Sequence, residues 1–416
     1  MAALMAAAPR GLFAASQAGD KTGLDVIVQR VSDTIRAYSA EGFHRTATAV
    51  DRASADALLA RARATGATAS LEPFTLSRVD PIASYLQIGT GRIQGLPMFD
   101  SALFTGVAGV SGTIGPVGSD HPIGWTRIAP NAEAALRKMR DGSRHRAIVA
   151  ATMGGKPGLC PVNAGWFSQP FGPPVLQVSS EALPTLEALL PKGEAQVVAR
   201  VSQRKAEAFN VVAEIKGSKP ELPPVCVMTP RSGWHANASE RGGGIACWLE
   251  ILRAVVAARG PADARGPAET GHDTLRTVRF VASSGHELGH LGLHDYLHRN
   301  PTLARSAFAW VHLGANIGTS TGDIGMTPSD AALRDAALKA FAPHGFETMR
   351  QGSAAQVGGE AATIKEQNGR FVSFIGANAW FHNPKDLWPD AVDVQTIAKF
   401  ARAVSDLTLA LANTSA

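Results

Sequence analysis

The segment TVRFVASSGHELGHLGLHDYL, residues 277–297, decides the fold class. Its first part, TVRFVASSG, is a run of apolar and β-branched residues that is typical of a strand buried inside a parallel sheet. Its second part carries a histidine at every fourth position, at His286, His290 and His294, and His298 directly after the segment continues the series. Functional side chains collect at the carboxyl ends of parallel strands, so we expect chemistry at this strand-to-helix junction.

The junction also matches the HExxH pattern of zinc proteases, through His286, Glu287 and His290. The extended form of that pattern has its third histidine ten residues after the first, whereas His294 follows His286 by eight. Eight residues of helix rise about 12 Å, which is too far for one ion to bind both ends. The sequence therefore argues against a zincin helix, and a polar helix edge is the other interpretation of His290, His294 and His298.

Strand and helix patterns alternate on both sides of this segment. The strand candidates are NVVAEIKG (210–217), PPVCVMTP (223–230), FAWVHLGANIG (308–318) and GRFVSFIGA (369–377), and the helical patterns lie at 24–38, 52–64, 245–258 and 391–412. This alternation predicts an α/β domain with a mostly parallel central sheet and helices on both faces. The carboxyl ends of its strands then bring together three loops, at 229–244, 283–290 and 378–390.

Residues 92–205 have a different character. Short apolar runs are separated there by Gly and Pro, with one helical pattern near 180–190. These features predict a small β-rich module. We therefore divide the chain into an α/β domain, residues 1–91 and 206–416, and an insertion domain, residues 92–205.

Composition excludes several classes of protein. With 416 residues, 45% of them hydrophobic, the chain is large enough for one globular core and a second module. Its 40 basic and 35 acidic residues form no like-charged run, which argues against nucleic acid and favours a small molecule or short peptide as partner. Three cysteines without a CxxC pair exclude a disulfide scaffold.

No apolar run reaches eighteen residues, so we expect no membrane span. The N-terminal stretch MAALMAAAPRGLFAASQAG contains no signal-peptide core, which favours a cytoplasmic location. The oligomeric state is left open.

Four segments together resemble the di-zinc aminopeptidase family, relatives of glutamate carboxypeptidase and glutaminyl cyclase. They are NVVAEIKG (210–217), ERGGGIACWLE (240–250), TVRFVASSGHELGHLGLHDYL (277–297) and WFHNPKDLWPDAVD (380–393). The resemblance implies a zinc aminopeptidase-like fold, in which residues 92–205 correspond to a protease-associated insertion.

The family binds two zinc ions through a His, a bridging Asp, a Glu, a second Asp and a late His, and it uses a further Glu as general base. Three of these positions have counterparts here. The resemblance implies that the late His is His382, that the ligand Glu is Glu287, and that the bridging carboxylate is Glu240.

The other positions depart from the family. Thr229 and Arg231 stand where the family has its first His and the Asp that orients it. His286 stands in place of the base Glu, and Ala315 or a close neighbour stands in place of the second Asp. Two zinc ions bring about four positive charges, which the missing carboxylates no longer balance, so a binuclear site is not expected.

A single divalent ion, zinc or another metal, remains compatible with the sequence. Its predicted ligands are Glu240, Glu287, His382 and either His290 or His286, because a catalytic zinc needs three protein ligands and an open position. His286 has three interpretations: a ligand, a general base in place of the missing Glu, or a hydrogen-bonded turn residue.

Arg231, Trp234 and Arg241 are the predicted substrate-binding residues. A guanidinium fork suits a carboxylate, and an indole stacks on an apolar group. In the alternative interpretation, an arginine pairs with Glu240 or Asp386 and holds the loop.

These residues predict a metal-dependent hydrolase that cleaves an amide-like bond in a small acidic or aromatic substrate, with His286 and Glu287 as catalytic residues. The alternative is a degenerate, metal-free peptidase that serves as a binding or assembly module. A third hypothesis is metal-free catalysis with Ser232, Ser239 or Thr229 as nucleophile beside His286, although no GxSxG motif supports it.

Overall fold

The computed structural model describes residues 11–259 and 274–415. Its helices are α1 (Gly11–Ala40), α2 (Ala49–Arg63), α3 (Glu133–Arg140), α4 (Leu183–Leu189), α5 (Gly242–Ala258), α6 (Leu291–Arg299), α7 (Leu303–Ser306), α8 (Ala331–Phe341), α9 (Glu360–Glu366) and α10 (Val394–Ala412). Its strands are β1 (Ala69–Ile88), β2 (Gly91–Pro97), β3 (Val110–Pro116), β4 (Ile123–Ile128), β5 (Ala147–Thr152), β6 (Val175–Ser179), β7 (Glu194–Ile215), β8 (Val225–Pro230), β9 (Val278–Ser283), β10 (Ala309–Leu313), β11 (Ile324–Pro328), β12 (Arg350–Gln351) and β13 (Phe371–Gly376).

Part of the N-terminal stretch interpreted above, residues 1–10, lies outside the described residues. None of the described helices has the length and apolar character that a membrane crossing requires.

The main sheet contains a parallel centre. Strands β9, β8, β10 and β13 lie side by side and pair in parallel. Strand β7 joins β9, and β11 joins β13, in the antiparallel direction. The predicted α/β class with a mostly parallel central sheet is therefore confirmed, with antiparallel strands on both sides of the centre.

Helices cover both faces of this sheet. Successive side chains of a strand point to opposite faces, and in β8 the residues Val225 and Val227 belong to the large apolar cluster that includes α5 and α10. The intervening Cys226 and Met228 pack instead in a second cluster with Leu293 of α6. The sheet is thus buried on both sides, which explains why its strands are nearly continuous apolar runs.

Two long antiparallel strands connect the main sheet to the insertion. Strands β1 and β7 pair from Ala69 opposite Ala213 to Ile88 opposite Ala195. Beyond them, β2 to β6 enclose an apolar cluster of their own, which includes Val149 and Leu176. Residue 92 lies within β2 and residue 205 within β7, and the domain boundaries remain a prediction.

Candidate functional site

A cavity of about 850 Å³, lined by both polar and apolar groups, opens at the carboxyl edge of the parallel strands. His286 follows β9, Asn316 follows β10 and Asn378 follows β13, and all three line the cavity. The insertion supplies the opposite wall through Glu133 and Trp166, among others. Two of the three predicted loops, 283–290 and 378–390, therefore contribute to the cavity, whereas no residue of the 229–244 loop lines it.

His286, His290 and Glu360 form a compact group in this cavity. Each offers one ligand atom, and these atoms all lie within 4.8 Å of one another. His286 Nδ1 lies 2.8 Å from Glu360 Oε1, and the two imidazole rings are 5.1 Å apart. Among residues 11–259 and 274–415, no other group of three or more His, Cys, Asp or Glu side chains is close enough to share an ion.

A second layer of hydrogen bonds holds this group in place. Glu360 Oε2 lies 3.3 Å from Nε2 of His312, whose Nδ1 lies 2.8 Å from the Ser373 hydroxyl. His290 Nδ1 contacts the Thr363 hydroxyl at 3.1 Å, which leaves its Nε2 available. Outer partners of this kind orient metal ligands in proteins.

The electrostatics of the group suit a cation. Burial alone would raise the pKa of Glu360, but the neighbouring His286 and His290 outweigh it and hold this pKa well below its usual value. Burial lowers the pKa of His290 to about 4, so its imidazole is neutral near pH 7. An ionised carboxylate and a neutral imidazole are the forms in which these groups bind metals.

The HExxH segment reaches this geometry without a continuous helix. Residues His286–Leu288 form one turn of 3₁₀ helix, and α6 begins only at Leu291. Gly289 and His290 both have left-handed backbone conformations, with φ of 79° and 61°. A left-handed non-glycine residue costs free energy and often marks a functional site. The expectation that this motif is not a zincin helix agrees with the structure.

Glu240 and His382, two of the predicted ligands, meet in a buried cluster away from the cavity. His382 Nε2 lies 3.4 Å from Glu240 Oε1, and the His382 backbone N–H donates to Glu240 Oε2. The guanidinium of Arg241 also contacts Glu240 Oε1, at 2.7 Å. Glu240 is therefore neutralised by a cation that belongs to the chain itself.

Glu287, the third predicted ligand, accepts three hydrogen bonds from the protein. Its Oε1 accepts from the backbone N–H and the hydroxyl of Thr46, and its Oε2 accepts from the Ser232 hydroxyl, all at 2.7 Å. The side chain is buried and does not line the cavity. Glu287 thus anchors the segments around Thr46 and Ser232 to the β9 junction, and its roles as a ligand and a catalytic residue remain predictions.

The three predicted substrate-binding residues are also buried away from the cavity. Arg231 pairs with Asp51 at 2.8 Å, and Arg241 pairs with Glu240 and donates to the Ser232 carbonyl. Trp234 is 2% exposed and donates through Nε1 to Asn163 Oδ1. That these residues contact substrate remains a prediction, and for Arg241 the alternative, a pair with Glu240, is present in the structure.

Several solved structures share this architecture. A zinc aminopeptidase from Bacillus subtilis superposes with a TM-score of 0.72 at 16% identity, over 92% of this chain and 94% of that one. The fold is that of the zinc aminopeptidases. A peptidase M28 precursor from Shewanella amazonensis gives a TM-score of 0.72 at 16% identity, over 95% and 97% of the two chains. An aminopeptidase from Aneurinibacillus sp. strain AM-1 gives 0.68 at 16% identity, over 91% and 92%.

No family model and no curated protein sequence matches this chain.

The residues at the family's metal positions do not fit a binuclear zinc centre on this aminopeptidase fold. Thr229 stands at the first ligand position, and its hydroxyl hydrogen-bonds the neighbouring Pro230 carbonyl. Glu287 already accepts hydrogen bonds on both carboxylate oxygens, and Arg241 already supplies the positive charge beside Glu240. A bound ion there would face a guanidinium across a buried carboxylate, which is unfavourable.

Sequence reasoning missed Glu360 and Glu133. Glu360 lies 74 residues from His286 along the chain, and only the packing of α9 against β10 and β13 brings the two together. Glu133 belongs to the insertion, and the sequence analysis placed no site residue in that domain. The only local feature of the sequence that could have pointed to Glu360 is its position directly after the glycine pair 358–359.

Proposed function

We propose that this chain is a hydrolase of amide-like bonds that depends on one divalent metal ion, held by His286, His290 and Glu360. The observation that carries the proposal is this group of two imidazoles and one carboxylate in the wall of an 850 Å³ cavity. Two His and one carboxylate with an open position form a ligand set that catalytic zinc uses. The zinc aminopeptidase fold supports the reaction class.

The dimensions of the group suit a single ion. A tetrahedral ion with bonds of about 2.1 Å separates its ligand atoms by about 3.4 Å. The ligand atoms here lie within 4.8 Å of one another, and the shortest separation is 2.8 Å. Displacements of about 1 Å therefore convert the hydrogen-bonded group into a coordination sphere of the ordinary size.

The bound ion would supply Lewis acidity toward a substrate carbonyl and lower the pKa of water. The chain supplies orientation: Thr363 and His312 hold the ligands, and Asn316 and Asn378 offer amide groups to the substrate from the sheet edge. In this proposal His286 is a ligand, so the base that the family has at this position must come from elsewhere.

The cavity wall favours a different substrate from the acidic one predicted. Its described residues include Glu133 and Glu360, and neither Lys nor Arg is among them. Trp166 and Phe381 add aromatic surface. We infer a small substrate that carries a positively charged amine, such as a short peptide with a free N-terminus, and the aromatic preference of the earlier prediction is retained.

Metal removal tests the proposal. The protein is purified without chelator and assayed against a panel of aminoacyl amides and dipeptides, before and after dialysis against a chelator and again after zinc is returned. We expect chelation to lower hydrolysis at least about 100-fold and one equivalent of zinc to restore it. Hydrolysis that survives with less than a tenth of an equivalent of metal would contradict the proposal.

A second candidate is the metal-free binding module. It is favoured by the closed cluster of Glu240, Arg241 and His382, where the fold's usual metal position has become an internal ion pair. A chain that binds no zinc and cleaves none of these substrates, but binds a peptide, would support this candidate.

A further inference from the structure

Glu133 is a carboxylate in the candidate cavity that the metal group leaves unused. It is the first residue of α3 in the insertion, and it lines the cavity together with His286 and His290. It is half-buried, and its charge interacts with His286. The insertion therefore presents an acidic group toward the residues that would hold the ion.

A buried chain of hydrogen bonds fixes the orientation of this carboxylate. The Trp234 indole donates to Asn163 Oδ1 at 2.9 Å, and Asn163 is hydrogen-bonded in turn to Glu133. Because the amide oxygen is taken by Trp234, the amide NH₂ is the group that donates to Glu133. Trp234 thus acts on the cavity indirectly, by positioning Asn163.

Helix stabilisation explains only part of this arrangement. A carboxylate in the first turn of a helix is stabilised by the backbone dipoles, and Ala132 before it offers no side-chain cap. An exposed carboxylate would give the same benefit without burial. Burial raises the pKa of Glu133 above its usual value, so placing this carboxylate in the cavity wall has a cost that helix stabilisation does not explain.

We propose that Glu133 is the general base of the hydrolysis, so that the insertion supplies the carboxylate that the chain lacks at position 286. The inference rests on the proposed function. Glu133 takes one proton from the attacking water while the water oxygen bonds to the amide carbon. The carbon–nitrogen bond then breaks, and Glu133 returns the proton to the leaving nitrogen and is regenerated as a carboxylate.

The test compares Glu133→Gln with Glu133→Asp and with the control Asp141→Asn, in the full-length zinc-loaded protein. Asp141 is exposed at the other end of α3, so its substitution removes the same charge from the same helix. Two readouts are measured: steady-state kinetics, and the affinity of acetohydroxamic acid by calorimetry. A hydroxamate loses a proton when it binds a metal, so its affinity reports the proton acceptor without turnover.

We expect Glu133→Gln to lower kcat by about 100-fold to 10,000-fold with little change in KM. It should also weaken hydroxamate binding at least about tenfold, while zinc stoichiometry stays at one. Glu133→Asp should recover part of both losses, and Asp141→Asn should behave as wild type.

If Glu133→Gln keeps wild-type kcat and hydroxamate affinity, the inference fails and the proposed function stands. Loss of zinc or of the folded state in Glu133→Gln would give Glu133 a structural role and also overturn the inference. A wild-type chain that binds zinc but neither hydroxamate nor substrate would overturn both proposals.

Discussion

Glu360→Gln is expected to abolish metal-dependent hydrolysis, with a fall in kcat/KM of at least about a thousandfold, or about 4 kcal/mol of transition-state stabilisation. Glu360 is the one anionic member of the candidate metal group and is 1% exposed. A neutral amide binds zinc weakly and offers one acceptor oxygen in place of the two carboxylate oxygens that His286 and His312 approach. The variant should therefore lose the ion as well as the activity.

The control is Glu347→Gln, in the segment between α8 and β12, where the side chain is exposed and does not line the cavity. It removes the same charge without touching the group and should change kcat/KM less than about fivefold. Steady-state kinetics and metal content of the two purified variants provide the measurement. Equal activity in the two variants would show that Glu360 is not a ligand of a catalytic metal ion.

Asp51→Ala is expected to destabilise the fold by about 3–5 kcal/mol, because it leaves the Arg231 guanidinium buried without its partner. Both side chains are at most 1% exposed, and Arg231 Nη1 contacts Asp51 Oδ1 at 2.8 Å. The same carboxylate accepts from the Ser284 hydroxyl and from the Ala47 N–H, so α2 loses its link to the β9 junction. Chemical denaturation monitored by tryptophan fluorescence provides the measurement.

Asp56→Ala is the matched control for this prediction. It lies in the same helix and pairs with Arg52 on the surface, with each side chain about half exposed. Exposed pairs of this kind contribute less than about 1 kcal/mol. If the two variants had equal stability, the Arg231–Asp51 pair would not be a structural element, and a substrate role for Arg231 would return.

Much of the fold could be predicted because its signals are local. In β9 the buried face on each side requires a continuous apolar run, and 277–285 shows that run directly. Helix α10 shows the amphipathic period over its full length, and the predicted 391–412 ends at the same residue. An element that is buried on one or both faces needs apolar residues at regular positions, and these positions can be recognised in the sequence.

The long strand β1 could not be predicted in the same way. It contains Pro73 and Pro81, and proline argues against a strand interior because it has no N–H to donate. In the structure the pairing with β7 shifts register between Pro81 and Ala83, so an irregularity accommodates the second proline. Strand β1 forms because it pairs with β7, which is distant in the sequence, and no local sequence pattern predicts this pairing.

Only those residues of the candidate metal group that are close together in the sequence could be predicted. His286 and His290 stand four residues apart and drew attention as a pair, whereas Glu360 joins them through tertiary packing. Position-by-position transfer from the family assigned Glu240 and His382 to one site, and the two side chains are in contact in the structure. It could not show that Arg241, the residue after Glu240, turns inward to neutralise it.

Zinc titration of the metal-free protein by calorimetry tests the central claim most directly, with wild type, His290→Gln and His382→Gln compared. His290 belongs to the candidate metal group and His382 to the closed cluster at the family's position. The account predicts one zinc site in wild type and in His382→Gln, and an affinity at least about 100-fold weaker in His290→Gln. Zinc binding that is lost in His382→Gln and kept in His290→Gln would contradict it.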